Sequence, residues 1–322
     1  MRAQAKNSVS GRVDILRNSF EFKADGYAYF RIWIVNVLLT ILTLGFYSPW
    51  ATVRKLKFLA ANTYWRGKPF AFHGEGFPIF KGRLALTLIL GSWFLVSVFP
   101  WVAVVVLIGV LASPYLLILR FRYYFSSYEY AGLKFDFSAP IRESYRVYGL
   151  GFLLSTFTIF SGSWLAWFWH RRFILNHVNY GSREFRLLGR WSEFVLCYLP
   201  ALLTALLTSC LWVGLVYGIG PENVDPYRVW PWSLIYALPL YLVFLFCLAS
   251  VNVRTGNFIW NHLSVGHMRF KADFKTSELF GIYVQNSLYL LVSFGLAWPW
   301  AKVNLLRYRA ERIQAVSRQA EV

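Results

Sequence analysis

Charged residues are scarce in this sequence, and six long stretches contain none. Only 15% of the 322 residues are charged, against about 25% in soluble domains, while 57% are hydrophobic. The charge-free stretches are Ile32–Ser48, Leu84–Leu119, Val147–Trp169, Phe194–Pro221, Val229–Val253 and Leu279–Ala301. A helix needs about 20 apolar residues to cross the hydrocarbon core. The composition therefore excludes an ordinary soluble protein and indicates an integral membrane protein.

One of these stretches, Leu84–Leu119, is too long for a single crossing. Pro100 lies near its middle and is a natural helix break, so we interpret the stretch as a helical hairpin over residues 83–98 and 101–119. The other five stretches fit one crossing each. The sequence therefore predicts a membrane all-α bundle of about seven transmembrane helices.

The sequence also lacks the common signatures of enzymes. It has no His-Glu-x-x-His, Walker or Gly-x-Ser-x-Gly motif. No Asp, Glu, Lys or Arg lies within a predicted span, which disfavours a proton-driven antiporter. Its five histidines do not supply the three or four convergent ligands of a metal site. Its three cysteines all fall in predicted spans, which argues against a disulfide framework. We expect no enzymatic activity, metal or cofactor.

Acidic residues are outnumbered by basic ones, 15 to 33, which gives a formal net charge of +18. The basic residues flank the predicted spans, where they meet anionic lipid headgroups. No basic domain stands apart from the membrane segments, so we expect no nucleic-acid partner. The expected contacts to anionic lipids or a partner protein are Arg54, Lys55, Lys57, Arg171 and Arg172.

An internal repeat links the two ends of the sequence at an offset of 250 residues. The segment NVLLTILTLGFYSPWA recurs as NSLYLLVSFGLAWPWA. The shared glycine and proline are expected to break or end each helix. Either the paired asparagines form interhelical bonds between the two copies, or both copies line a polar site near the membrane midplane. The candidate site residues are Asn36, Gly45, Pro49, Asn286, Gly295 and Pro299.

The basic connectors between the spans resemble one another as well. Each has a glycine followed three or four residues later by a phenylalanine, at Gly67, Gly132, Gly181 and Gly266, and the first two continue as Phe-x-Phe. This pattern predicts short β-hairpins at the membrane interface. The predicted units are a polar segment 1–19, two three-span units 20–134 and 135–269, and a partial third repeat with a basic tail, 270–322. Units with three spans would be inverted relative to each other, unless the single spans are re-entrant.

Orientation follows from the distribution of lysine and arginine. Seven crossings divide the basic residues almost equally between the two sides, with a small excess on the C-terminal side. The positive-inside rule then predicts a cytoplasmic C-terminus. In the rival arrangement every basic connector lies in the cytoplasm, and the acidic loop with Glu222 and Asp225 faces outward.

The segment Thr43–Ala51, TLGFYSPWA, with Arg54 after it and FGLAWPWA near the other end, resembles the YjgN-like family of bacterial inner-membrane proteins. The resemblance extends over nearly the whole chain and implies a multi-pass protein of the bacterial inner membrane. It implies no activity or catalytic residue. Genes of such proteins neighbour those of zinc metalloproteases, so it suggests a metalloprotease as a partner.

Two functions fit these features. A transporter or channel for a small or amphiphilic solute is favoured by the repeat and its paired broken helices. A non-enzymatic membrane scaffold or adaptor, which binds a partner protein or anionic lipids, is favoured by the repeated basic connectors. The sequence leaves the substrate and the oligomeric state open.

Overall fold

The structure is a computed structural model that describes residues 15–96, 98–159, 162–219 and 226–318. Most of the predicted polar N-terminal segment, the acidic loop with Glu222 and Asp225, and the last four residues of the basic tail lie outside the described residues.

The structure contains ten short β-strands, three to eight residues long, and helices lie between every second pair of consecutive strands. The strands are β1 Ile15–Phe22, β2 Thr63–Trp65, β3 Lys68–Phe72, β4 Tyr128–Tyr130, β5 Leu133–Phe137, β6 Val178–Tyr180, β7 Arg183–Leu187, β8 Leu263–Val265, β9 Met268–Ala272 and β10 Ile313–Arg318. Each strand pairs antiparallel with its two neighbours, and β1 pairs with β10 to close the sheet into a barrel. Closure leaves no free sheet edge.

Eleven helices lie in the described ranges, as excursions from this barrel. They are α1 Gly26–Leu42, α2 Ser48–Ala61, α3 Gly76–Leu95, α4 Ala103–Ser126, α5 Ile141–Phe157, α6 Ser163–Asn176, α7 Trp191–Leu196, α8 Leu199–Ile219, α9 Pro226–Asn261, α10 Thr276–Val292 and α11 Trp298–Glu311. The chain order is strand, helix, helix, strand, repeated five times, with the short α7 preceding α8 in the fourth unit.

Aromatic side chains fill the barrel. Phe20, Phe70, Phe135, Phe185 and Phe270 lie on alternate strands, and the ring centroids of Phe20 are 6.4 Å from Phe70 and 6.3 Å from Phe270. Between them, the Tyr130 hydroxyl donates to the Trp65 carbonyl at 2.7 Å, and the Tyr180 hydroxyl to the Tyr130 carbonyl at 2.9 Å. The barrel is therefore a packed core that holds the five units together.

All helix pairs leave the barrel from one rim. Helices connect β1 to β2, β3 to β4 and so on, whereas tight turns at Gly67, Gly132, Gly181 and Gly266 connect the strands at the opposite rim. These glycines have φ between +54° and +82°, a backbone conformation that glycine adopts without steric strain. Because every connector belongs to one barrel, all four connectors lie on the same side of the membrane.

Only two of the five units are long and apolar enough to cross a membrane. The four candidate spans in the described residues are Gly76–Leu95, Pro100–Ser126, Trp191–Gly214 and Leu238–Asn261, which form two hairpins. The other three units pair a helix of 17 residues with one of 14, or about 25 Å and 21 Å at 1.5 Å per residue. These short hairpins fall below the length of a membrane crossing and turn back toward the barrel.

The tips of the three short hairpins are apolar and built alike. Leu44, Ile159 and Phe294 are 90%, 86% and 97% exposed, and all three have φ near +50°. The preceding hydroxyl residue accepts a bond from a backbone N–H four residues later, at 2.9 Å for Tyr47 and for Ala297. Lipid offers no hydrogen bonds, so this turn pairs backbone donors internally and presents an apolar tip to the bilayer.

Glutamate side chains fasten three helix pairs where they meet the barrel. An acidic residue in the first turn of one helix contacts the cationic or titratable residue that caps the end of its partner helix. The pairs are Glu143–His177 at 3.2 Å, Glu193–His262 at 3.6 Å and Glu278–Arg312 at 2.7 Å. The acids hold the two ends of each hairpin together at equivalent positions in three units.

The predicted all-α bundle of seven transmembrane helices is wrong. Three of the supposed single crossings contain a turn, as at residues 43–47, after which the chain returns to the side it came from. The inverted three-plus-three arrangement is also wrong, because the connectors pair with one another in a single ten-stranded barrel. The division of the chain at residues 134 and 269 stays a prediction.

A labelling experiment tests this one-sided arrangement. In a cysteine-free background, we introduce Lys68→Cys, Lys134→Cys, Arg183→Cys or Arg269→Cys, which lie at the rim opposite the helices. A membrane-impermeant maleimide should label all four only when it is given access to the cytoplasm. The seven-span arrangement would instead label the first two from one side and the last two from the other.

A stability measurement tests the aromatic core of the barrel. Phe270→Ala removes a buried ring that contacts Phe20 and Trp260, and we expect a loss of about 3–5 kcal/mol in the free energy of unfolding. In the matched control, Phe152→Ala removes a ring that is 69% exposed on α5. Thermal unfolding of the purified protein should fall by several degrees for Phe270→Ala alone; equal melting temperatures would contradict a packed barrel core.

Candidate functional site

The repeat-related asparagines each bridge the two helices of their own hairpin. The Asn36 Nδ2 donates to the Ala51 carbonyl at 3.4 Å, and the Asn286 Nδ2 donates to the Ala301 carbonyl at 3.3 Å. The side chains are buried, with 7% and 8% of their surface exposed. These bonds therefore join α1 to α2 and α10 to α11, rather than one copy of the repeat to the other.

Both amides keep an unpartnered acceptor. Because a carbonyl can only accept a hydrogen bond, the amide must turn its Nδ2 toward the backbone, which leaves Oδ1 facing elsewhere. The Oδ1 atoms of Asn36 and Asn286 are buried and have no hydrogen-bond partner among the described residues. An unpaired buried acceptor of this kind costs about 1–3 kcal/mol, so each is a place where a donor from outside the chain would be stabilised.

The predicted glycines and prolines shape the hairpin tips. Gly45 and Gly295 have φ of +92° and +89°, in the left-handed region that favours glycine. Pro49 and Pro299 lie in the first turn of α2 and α11 and are fully buried. A proline there removes no helical hydrogen bond. These four residues therefore determine where the chain reverses. The asparagines lie between the two helices, farther from the tip and nearer to the barrel.

A groove of about 270 Å³ lies between α1 and α2, beside Asn36. One face of α1 contributes the apolar side chains of Trp33, Val37 and Ile41, and Lys55 lines the end of the groove toward the barrel. The full lining is Tyr29, Trp33, Asn36, Val37, Thr40, Ile41, Ala51, Thr52 and Lys55. The groove is therefore amphipathic along its length.

The neighbouring hairpin supports the α2 wall of this groove. Arg83 of α3 donates to the Ser48 hydroxyl at 2.6 Å and to the Thr52 hydroxyl at 2.8 Å. The ring of Trp50 packs against Gly76 at the start of α3, where an added Cβ would come within 2.6 Å of it. These contacts fix α2 relative to the second unit.

Four basic residues from three different hairpins form a series of electrostatic neighbours that begins with Lys55 at the charged end of the groove. Lys302 lies within electrostatic range of Lys55 and Arg309, and Arg309 within range of Arg171. Lys55 comes from α2, Arg171 from α6, and the other two from α11. We call Lys55, Arg171, Lys302 and Arg309 the basic cluster.

No carboxylate forms an ion pair with the basic cluster in the part of the chain that the structure describes. Lys302 is half-buried in a hairpin that does not cross the membrane. Its burial, and then the charges of Arg309 and Lys55, lower the pKa of its ammonium group. The cluster therefore carries a concentration of positive charge without its own counter-charge, which is the electrostatic requirement for binding an anion.

Two of the five basic residues singled out in the sequence, Lys55 and Arg171, belong to this cluster. Arg171 also lies 4.3 Å over the Trp167 ring. Arg54, Lys57 and Arg172 lie on the same helices outside the cluster and remain predicted lipid or partner contacts; all five residues are exposed.

Sequence reasoning missed Lys302, Arg309 and Arg83. The repeat held one usable signal, since Lys302 occupies the position of Thr52 at the offset of 250 residues. Arg83 carried no such signal, because its bond to Thr52 depends on which hairpins are neighbours.

The histidines of α6 make ordinary hydrogen bonds. The Nδ1 of His170 lies 3.0 Å from the Tyr148 hydroxyl, and the Nδ1 of His177 lies 2.8 Å from the Phe173 carbonyl. Within the described ranges, no three His, Cys, Asp or Glu side chains are grouped as metal ligands would be.

Comparison with known proteins identifies the family. The model of DUF898, described as a bacterial protein of unknown function, matches residues 17–320. The inner membrane protein YjgN of Escherichia coli strain K12 is 41% identical over 76 residues, which are 24% of this chain and 19% of that protein. YjgN of Salmonella typhimurium strain LT2 is 35% identical over 83 residues, or 26% and 21%. No solved structure matches.

The matched segments span about a fifth of the length of these relatives. The resemblance to YjgN-like proteins that the sequence indicated is confirmed, and so is its location, since the relatives are inner-membrane proteins and four helices of this chain are able to cross a membrane. The chain belongs to the DUF898 family of bacterial inner-membrane proteins.

Proposed function

We propose that this protein is a non-enzymatic scaffold of the inner membrane that gathers anionic lipids around a barrel on the cytoplasmic surface. In this account two hairpins cross the bilayer and anchor the molecule. Three shorter hairpins insert their apolar tips into the cytoplasmic leaflet, and the basic residues at the base of the helices contact the lipid headgroups.

The observation that carries the proposal is the one-sided distribution of positive charge. Between residues 15 and 318, every lysine and arginine except Arg228 lies in the barrel or in a helix within about 15 Å of it, at 1.5 Å per residue. The positive-inside rule assigns such a surface to the cytoplasm. Each basic residue near an anionic surface contributes about 1 kcal/mol of attraction, so a belt of this size favours anionic lipids strongly.

The filled barrel interior favours the scaffold function rather than a channel. The five phenylalanines and the aromatic side chains between them occupy the barrel interior. A route through the barrel would therefore require this core to open. A protein partner, such as the metalloprotease that the resemblance suggests, remains a prediction.

Transport of an amphiphilic solute is the second candidate function. The groove beside Asn36, with a charged end and an apolar end, favours it, because such a surface suits a molecule with a polar head and a tail. The two functions differ in one measurable property. A transporter would speed the movement of fluorescent lipid between the leaflets of proteoliposomes, whereas a scaffold would leave that rate at the level of protein-free vesicles.

Charge reversal tests the proposed function. We expect Arg54→Glu combined with Lys57→Glu and Arg172→Glu to reduce the anionic lipid retained by the purified protein about ten-fold or more, because three attractive charges become repulsive. The retained lipid is measured after extraction from vesicles of phosphatidylglycerol and phosphatidylcholine in equal amounts. The control Arg54→Lys, Lys57→Arg, Arg172→Lys keeps the charge and should retain the lipid. Unchanged retention in the reversed variant would refute the proposal.

A further inference from the structure

The groove beside Asn36 has the polarity of a phospholipid in the cytoplasmic leaflet. Its lysine, Lys55, lies about 9 Å along α2 from the barrel, at 1.5 Å per residue. Its apolar wall, Trp33, Val37 and Ile41, runs from there toward the tip of the hairpin. With the barrel on the cytoplasmic face, a headgroup at the lysine would send its acyl chain along this wall toward the middle of the bilayer.

Basic residues of the fifth unit add positive charge near the groove of the first unit. Helices α1 and α11 pack together, and the Phe30 and Trp300 rings lie 5.1 Å apart. This neighbour brings Lys302 and Arg309 toward Lys55, with Arg309 beside the Tyr283 hydroxyl. A phosphate among these cations would supply the negative charge that the described carboxylates do not supply.

The equivalent position in the fifth unit lacks the lysine and the tryptophan of this groove. Leu305 occupies the position of Lys55, and Tyr283 that of Trp33. The buried amide of Asn286 is retained, so the bond from the amide to the partner helix is common to both hairpins, whereas the lysine at the charged end is particular to the first.

Asn36 offers a polar contact at the depth of a lipid's glycerol. Counted along α1, it lies about 15 Å from the barrel, deeper than Lys55. Its Oδ1 can only accept a hydrogen bond, and an esterified glycerol carries no donor, so the contact to a lipid ester falls to the Nδ2, which has a second N–H besides the one bonded to the Ala51 carbonyl. The groove volume of about 270 Å³ is at the lower limit of sites that enclose a small ligand, roughly 300–1,000 Å³. It therefore fits the headgroup region of a lipid whose tail continues over the exposed apolar surface.

We infer that the groove of the first hairpin binds one anionic phospholipid, with its phosphate in the basic cluster, its glycerol beside Asn36 and an acyl chain along Trp33, Val37 and Ile41. This inference rests on the proposed function for the side on which the barrel lies, but it concerns one stoichiometric site rather than the general basic belt.

The experiment is native mass spectrometry of the full-length protein, delipidated and then titrated with phosphatidylglycerol, phosphatidylcholine or soluble glycerol phosphate. We expect one phosphatidylglycerol to bind per protein in preference to phosphatidylcholine. Lys55→Gln combined with Lys302→Gln should weaken this binding about ten-fold or more, since hydrogen bonds from charged donors to a phosphate are stronger than those from neutral donors.

Lys57→Gln is the matched control, because it removes the same charge from the same helix at an exposed position outside the cluster. It should leave the single bound lipid in place. The single variants Lys55→Gln and Lys302→Gln are measured alongside, with melting temperatures, so that a folding defect in the double variant is recognised.

Four results would overturn the inference. Equal losses for Lys55→Gln and Lys57→Gln would mean that only the general belt binds lipid, which leaves the proposed function standing. Equal affinity for glycerol phosphate would make the site one for soluble phosphates. Undiminished binding by the folded double variant would exclude the cluster as the phosphate site. Failure of the wild type to prefer phosphatidylglycerol would contradict the proposed function as well.

Discussion

The pairing of β1 with β10 is the constraint on which the rest of the structure depends. It joins the two ends of the described chain and closes ten strands, most only three to five residues long, into a barrel. Sheets of such short strands are marginal alone, and closure lets them share one aromatic core without an open edge. Once the barrel is closed, every pair of helices must start and finish at the same rim. The membrane topology then follows from the sheet.

Three properties of the chain follow from this one-sided topology. Basic residues concentrate near the rim, because every connector faces the same compartment. The short hairpins must reverse toward the barrel, and their tips combine apolar side chains with hydroxyl groups that accept backbone bonds at the turn. Neighbouring hairpins meet along their sides, so that Arg83 supports the groove wall of one neighbour and Lys302 adds charge to the groove of another.

Part of this architecture was readable from the sequence. The long stretch with Pro100 gave its hairpin directly, because its length exceeds one crossing. Glycine followed by phenylalanine predicted the β-hairpins. The repeat at an offset of 250 residues identified Asn36 and Asn286 as equivalent positions. The reversal at Leu44 was not readable, because a broken hairpin of two short apolar helices has the same length and composition as one crossing.

The barrel and the basic cluster could not be predicted from the sequence for a different reason. Pairing of Ser19 with Gln314 is a contact between residues at opposite ends of the chain, and local periodicity carries no information about it. Lys55, Lys302 and Arg309 likewise approach one another only because the first and fifth units become neighbours on closure. The sequence alone gave two of the four cluster residues, as parts of basic runs.

The most direct test of this account is a disulfide between β1 and β10. Ser19→Cys and Gln314→Cys, in a cysteine-free background, place two thiols at a directly paired position of adjacent antiparallel strands. The account predicts that mild oxidation in native membranes forms this disulfide efficiently, while Ser19→Cys with Lys134→Cys, on a non-adjacent strand, forms none. If Ser19→Cys and Gln314→Cys do not cross-link, or react with impermeant reagents from opposite sides of the membrane, the barrel is not closed and the account is wrong.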